Sequence, residues 1–152
     1  MRWSPNQSSR YPKGQIRLIV LHSTEGNYEG AVDWLMDDEA DASYHIIYAQ
    51  DGRRKKLVPL SKQAWHVGTF WGRDRANAVS VGLGMERHGK KMGYPDKMLR
   101  KVCKDCASII RHHPVESIVA HARLDPARRT DPVKFPWRRF WKILSEEIKK
   151  HG

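Results

Sequence analysis

Apolar and polar positions change period along the chain, and each change marks an element. Residues 1–14 carry Pro, Gly, Ser and Asn with little apolar content, which predicts an irregular N-terminal arm. From Gln15 to His22 the run Ile16-Arg17-Leu18-Ile19-Val20-Leu21 is β-branched and nearly unbroken, the pattern of a strand covered on both faces. A loop, Ser23-Thr24-Glu25-Gly26-Asn27, precedes Ala31, Trp34 and Leu35 at i, i+3 and i+4, one buried face of a short helix. Residues 42–49 read as a second strand, Asp51-Gly52 as a hairpin turn and 54–60 as its return. Ser80 to Arg87 predicts a further strand, in which Gly82 and Gly84 mark a close approach to its backbone.

Beyond Asp96 the period becomes helical. Met98, Val102, Cys106 or Ala107, and Ile109-Ile110 share one side until His112-His113-Pro114 stops the helix. The imidazoles there sit at the negative end of the helix dipole, which suits a capping role. A short strand, Ser117 to His121, follows. Pro136 then stands in a first-turn position before Trp137, Phe140, Trp141, Leu144 and Ile148, spaced as the apolar face of a basic amphipathic helix expected to pack onto the sheet. Strands alternating with helices, with no repeat and no linker, predict a single α/β domain over residues 15–152, a central mixed β-sheet flanked by helices.

Composition narrows the classes. With 39% hydrophobic residues and six Trp the chain can build a core. Its longest aliphatic run, Leu18-Ile19-Val20-Leu21, is far short of the roughly 20 apolar residues of a membrane-crossing helix. The polar start, Met1-Arg2-Trp3-Ser4-Pro5, lacks the apolar stretch of a secretory leader, so synthesis is expected to end in the cytoplasm. The two cysteines, Cys103 and Cys106, sit inside the helical pattern with no second pair, which favours ordinary helix positions over a redox or zinc role. Lys and Arg number 28 against 17 Asp and Glu, for a formal net charge of +11, which draws the chain to polyanions. Arg53-Arg54-Lys55-Lys56, Lys90-Lys91, Lys97 with Arg100-Lys101 and Lys104, and Arg138-Arg139 are dispersed, and no nucleic-acid-reading motif accompanies them.

Three ligand-type residues fall where strands end: His22, His121 and, in a Pro-rich loop, Asp131. Two imidazoles and a carboxylate suit a Zn2+ ion that keeps one position open, where the pKa of water falls toward about 7. Spacing alone favours the alternative of two buried, hydrogen-bonded histidines and a turn or cap aspartate.

A resemblance covers about residues 15–132. Leu21-His22-Ser23-Thr24-Glu25-Gly26, Ser43-Tyr44-His45, Asp51-Gly52, Ala64-Trp65-His66-Val67-Gly68, Asn77 through Gly82, Ala120-His121 and Arg129-Thr130-Asp131-Pro132 fall in the order found in zinc-dependent N-acetylmuramoyl-L-alanine amidases. The chain thus resembles the phage-lysozyme-like enzymes related to peptidoglycan recognition proteins. That resemblance implies a zinc hydrolase cutting between N-acetylmuramic acid and the L-alanine of bacterial peptidoglycan, with His22, His121 and Asp131 as the metal ligands. It places Tyr44 beside the metal and Arg129 where a cation stabilises an oxyanion, and it puts Trp65 and His66 in the substrate groove. His45, adjoining Tyr44 on a strand, faces the opposite side as a core histidine.

One departure stands out. Recycling members of the family carry a Glu where this chain has Gly84. Glu86, two positions on and on the same face, is the nearest carboxylate and is grouped with the substrate-facing residues, its alternative being a surface or salt-bridged side chain. Tyr44, the missing Glu and the charge together imply a monomeric phage endolysin drawn to the anionic cell envelope, acting on the wall after release. The other readings are a bacterial recycling or remodelling amidase and a non-catalytic peptidoglycan-binding protein. Non-catalytic relatives generally lack a ligand, whereas this chain carries the full set.

Overall fold

Strands β1 (Gln7–Ser9), β2 (Leu18–Ser23), β3 (Ile46–Tyr48), β4 (Arg54–Lys56), β5 (Lys62–Ala64), β6 (Ser80–Met85) and β7 (Ser117–Ala120) alternate with helices. The helices are α1 (Tyr28–Leu35), α2 (Arg73–Ala78), α3 (Asp96–His112), α4 (His121–Leu124) and α5 (Trp137–Lys150). The computed structural model describes residues 2–10, 14–67, 73–89 and 91–150. Tyr11 to Lys13 of the arm, Gly68, Lys90 and the last two residues, assigned above from sequence, lie outside that set.

Five strands form one mixed sheet in the order β4-β3-β6-β2-β7. β2 runs parallel to β6 and β7, β3 runs parallel to β6, and β4 returns antiparallel from the Asp51-Gly52 turn. The predicted α/β architecture with a mixed sheet is therefore the observed one. The period of two sorts β2 and β6 onto two faces. Ile19 and Leu21 with Val81, Leu83 and Met85 join Met98, Val102, Cys103, Cys106, Phe140 and Leu144 in the main core. Val20, His22, Gly82 and Gly84 face the other way, across the registers Val20↔Gly82 and His22↔Gly84.

α3 spans the predicted residues, and His112 closes it by donating from Nδ1 to the Ser108 carbonyl at 2.8 Å. Both cysteines are buried on its inner face, with Cys103 bonded to the Phe140 carbonyl. Burial pushes the Cys103 thiol up to about 12 and that of Cys106 well above its ordinary value, so both are inert thiols.

α5 corrects its expected docking. It packs on α3, which itself covers the sheet, and buries Phe140 and Leu144 while Trp141 and Ile148 remain 45% and 43% exposed. Ile143 joins the packed side instead, because the buried stripe follows i+3 and i+4 from Phe140. Trp34 is similarly 54% exposed, since the buried stripe of α1 runs through Tyr28 and Leu35 and leaves position 34 about 100° away. Among the described residues no helix is long and apolar enough to cross a membrane.

The arm is not irregular throughout. β1 pairs antiparallel with β5, an element the sequence did not announce. Buried Asn6 donates to the Leu35, Asp37 and Ala42 carbonyls, and Ser4 donates to the Leu35 carbonyl at 2.5 Å. A polar segment orders because backbone carbonyls at the end of α1 need donors.

His45 is fully buried, with backbone groups on both ring nitrogens and the Arg10 guanidinium 3.3 Å from Nε2. Its Nδ1 accepts from the Gly82 N–H at 3.0 Å and its Nε2 donates to the Lys62 carbonyl at 2.8 Å, which sets a neutral tautomer. Burial holds its pKa down at about 3.

Two outcomes are expected. Asn6→Ala leaves buried carbonyls without a donor and lowers the urea unfolding free energy by about 2 kcal/mol. The His45 ring is neutral in both folded and unfolded chains above about pH 6.5. As pH falls toward 3 only the unfolded chain takes the proton, so stability declines. In urea titrations with chelator present, His45→Gln should reduce this acid slope by about 1.4 kcal/mol per pH unit, one proton's worth. An unchanged slope contradicts the assignment.

Candidate active site

Parallel pairing of β2 with β7 ends at Leu21↔Ala120, so the two strands release His22 and His121 at the same edge of the sheet. Their ring centroids lie 4.6 Å apart. α4 then turns the chain back. The Ala122 N–H donates to the Asp131 carbonyl, while the buried Asp125 accepts from the Arg128 side chain, its own carbonyl taking the Arg128 and Arg129 N–H groups. This folded loop carries Asp131 to the two rings.

Asp131 presents one oxygen to each imidazole: Oδ2 lies 3.1 Å from His22 Nδ1, and Oδ1 lies 3.2 Å from His121 Nδ1. One ligand-type atom from each residue falls within 4.8 Å of the others, and the three side chains are only 2%, 7% and 13% exposed. Two imidazole nitrogens and one carboxylate oxygen, converging and nearly dry, fit a divalent cation of the zinc type with a position left open. Burial disfavours ionisation of Asp131, but the two imidazoles it contacts, His121 first and then His22, outweigh it and hold the carboxyl below its usual range. Burial lowers the pKa of His22, partly offset by Asp131.

In front of these groups lies an open cavity of about 400 Å3. Tyr44, Trp65, His66, Arg129 and the Ser23–Glu25 loop line it together with the triad. The Tyr44 ring stands 4.8 Å from that of His22, and burial, then the Asp131 charge, raises its pKa, so the phenol keeps its proton. Arg129 is exposed at the rim. Trp65 is half-buried, its indole N–H donating to Ser8 Oγ at 3.0 Å, which links the arm to the cavity wall. Ser43 reinforces the same wall by donating to the Asn6 carbonyl and accepting from the Trp65 N–H.

His66 lines the cavity as expected, though the protein itself engages its ring, and Glu86 is placed otherwise than the sequence suggested. His66 touches the cavity, but both its ring nitrogens are engaged by the protein, with His22 Nε2 and Ser80 Oγ each at 2.9 Å, so neither is free for substrate. Glu86 does not line the cavity. Its carboxylate accepts from the Tyr28 N–H at 2.7 Å and the Gln50 N–H at 2.9 Å, capping the start of α1 and the chain leaving β3, where these donors lack strand or helix partners.

Gly82 and Gly84 meet the expectation of close approach. A Cβ on Gly82 would enter the ring of His66, and one on Gly84 would enter the ring of Tyr44. Position 84 therefore has no room for a glutamate while Tyr44 holds its place. Sequence reasoning missed Ser80 and Asp125, which act through hydrogen bonds to residues that only the fold brings near; the Asn77–Gly82 block was the one signal.

Fold and site together define a class, a single α/β domain with a His-His-Asp cluster at one end of a mixed sheet. Residues 12–134 match the family model described as N-acetylmuramoyl-L-alanine amidase, and the chain belongs to that family. It is 28% identical to the 1,6-anhydro-N-acetylmuramyl-L-alanine amidase AmpD of Enterobacter cloacae, over 97% of this chain and 90% of that one. A crystal structure of a selenomethionine AmpD derivative superposes with a TM-score of 0.75 at 25% identity, covering 93% of this chain and 92% of the other. The amidase AmiD of E. coli, solved with its substrate anhydro-N-acetylmuramic acid-L-Ala-D-gamma-Glu-L-Lys, shares the fold at a TM-score of 0.74 and 23% identity, covering 90% of this chain and 60% of that one.

Gly84→Ala should displace the Tyr44 ring and cost about 1–3 kcal/mol of stability through overpacking. Thermal unfolding with near-ultraviolet circular dichroism checks this. A variant with wild-type midpoint and aromatic signal contradicts the shared-space argument.

Proposed function

We propose that this chain is a zinc-dependent amidase that hydrolyses the bond between N-acetylmuramic acid and L-alanine in the polymeric peptidoglycan of bacterial walls, in the manner of a phage endolysin. The observation that carries this reading is the convergence of His22, His121 and Asp131 at the floor of an open cavity, with Tyr44 and Arg129 on its wall. When bound by these three residues, Zn2+ supplies a Lewis acid and lowers the pKa of water.

The chain's own groups do the rest. Tyr44 keeps its proton, so it acts as a hydrogen-bonding phenol that orients the reacting groups rather than as a phenolate base. The Arg129 guanidinium offers forked donors toward the oxyanion of a tetrahedral intermediate. Trp65 presents ring surface to sugar or peptide. The net charge of +11 supports an extended anionic polymer over a small soluble fragment, because long-range attraction grows with the charge of the target. A second reading, favoured by the likeness to AmpD, takes a soluble anhydro-muropeptide.

Both readings meet in one assay, release of new L-alanine amino termini from purified sacculi and, separately, from soluble anhydro-muropeptide. Sacculi should be cut, a chelator should abolish the activity and Zn2+ should restore it. His22→Ala, His121→Ala and Asp131→Ala should lose both metal and turnover. Tyr44→Phe and Arg129→Ala should keep the metal and lose about 100-fold or more in kcat. Intact sacculi with rapid turnover of the fragment would assign the recycling role instead, and chelator-insensitive cleavage would remove zinc from the mechanism.

A further inference from the structure

We propose that His66 is a positioning residue that fixes His22 in the tautomer whose Nδ1 lone pair is available to a metal ion. The proposal rests on the zinc reading above and adds to it a hydrogen-bond relay running from the metal site to the backbone of α2.

The relay is read from its far end. The Ala76 carbonyl can only accept, so Ser80 Oγ, 2.8 Å away, donates its single hydrogen there. Toward His66 Nε2, at 2.9 Å, Ser80 Oγ is then left as an acceptor, and Nε2 carries the hydrogen. His66 is buried, and none of the groups hydrogen-bonded to its ring is anionic, so the ring is neutral and its Nδ1 is bare. That bare Nδ1 lies 2.9 Å from His22 Nε2 and accepts its hydrogen. Nε2 of His22 is thereby committed as a donor. The nitrogen left for a metal is Nδ1, which faces Asp131 Oδ2 at 3.1 Å. A lone pair aimed at a carboxylate is repulsive by itself and becomes attractive with a cation between the two, which is the donor arrangement of a metal site.

The fold is built to hold this relay. Gly82 leaves the space that the His66 ring fills. The Asn77 side-chain oxygen accepts from the N–H groups of His66 and Val67 at 3.2 and 3.0 Å, which pins the segment. Ser80 and Gly82 both come from β6, the central strand, so the relay is anchored on a strand paired on both sides.

Zinc affinity measured by competition with a chromophoric chelator tests the proposal on the wild type, His66→Leu and His66→Asn. Leu preserves bulk but accepts no hydrogen bond, so His22 loses its fixed tautomer and affinity should weaken about 10- to 100-fold. Asn can place an acceptor oxygen where Nδ1 stood and should recover affinity to within a few-fold of wild type. Equal affinity in wild type and His66→Leu overturns the proposal, as does a His66→Asn no better than His66→Leu. Should the Leu variant fail to fold, the unsubstituted protein still decides. In 15N-labelled zinc-free and zinc-loaded samples, His22 Nε2 should carry a proton and couple to His66 Nδ1 across the hydrogen bond, and a bare His22 Nε2 overturns the relay. A wild type that binds no zinc would instead defeat the zinc reading itself, a result distinct from any ranking among the His66 variants.

Discussion

Asp131 stands between two imidazoles with one oxygen facing each, in a pocket where all three side chains are nearly shielded from water. Removing a carboxylate from water costs several kcal/mol unless charge and hydrogen bonds compensate. The site is therefore placed where partners can be delivered from three separate parts of the chain. Parallel pairing of β2 and β7 brings the two histidines out at one edge. The loop after α4, clamped by the Ala122 N–H and by buried Asp125, returns the carboxylate to them. Without that return the two rings would be ordinary buried histidines.

The central strand of the sheet shows how a fold makes room for a site. On one face of β6, Val81, Leu83 and Met85 fill the main core against α3 and α5. On the other, Gly82 and Gly84 carry nothing, and the rings of His66 and Tyr44 occupy the vacated volume beside His22. Glycine weakens a strand interior, because it has more freedom to lose and no side chain to pack. Here two rings from outside the strand supply the packing. The same geometry accounts for the absence of a carboxylate at position 84, since Tyr44 and a side chain there would compete for one space.

The N-terminal segment shows that a polar stretch can be structural. Ser4, Asn6 and Ser8 donate to carbonyls or accept N–H groups on α1, the 42–43 segment and Trp65, and all of these border the cavity. Cavity shape at that wall is thus tied to the arm rather than to the sheet.

Local pattern determined much of this protein. The continuous apolar run of β2, the hairpin turn at Asp51-Gly52, the 3.6 period of α3 and the glycines of β6 are each legible because neighbours a few residues apart decide them. The ordered motif blocks carried the family and, through that resemblance, pointed to His22, His121 and Asp131. Other features were decided only in three dimensions. β1 and β5 exist because each supplies the other with hydrogen bonds across more than fifty residues, which no local period records. Glu86 caps α1 instead of facing the cavity, and His66, at the cavity wall, gives both ring nitrogens to His22 and Ser80, because the orientation of a polar side chain is set by whichever unpaired donor or acceptor the fold brings within 3 Å. Sequence carries residue type and period, whereas partnership between polar groups remote along the chain is a property of the packed structure alone.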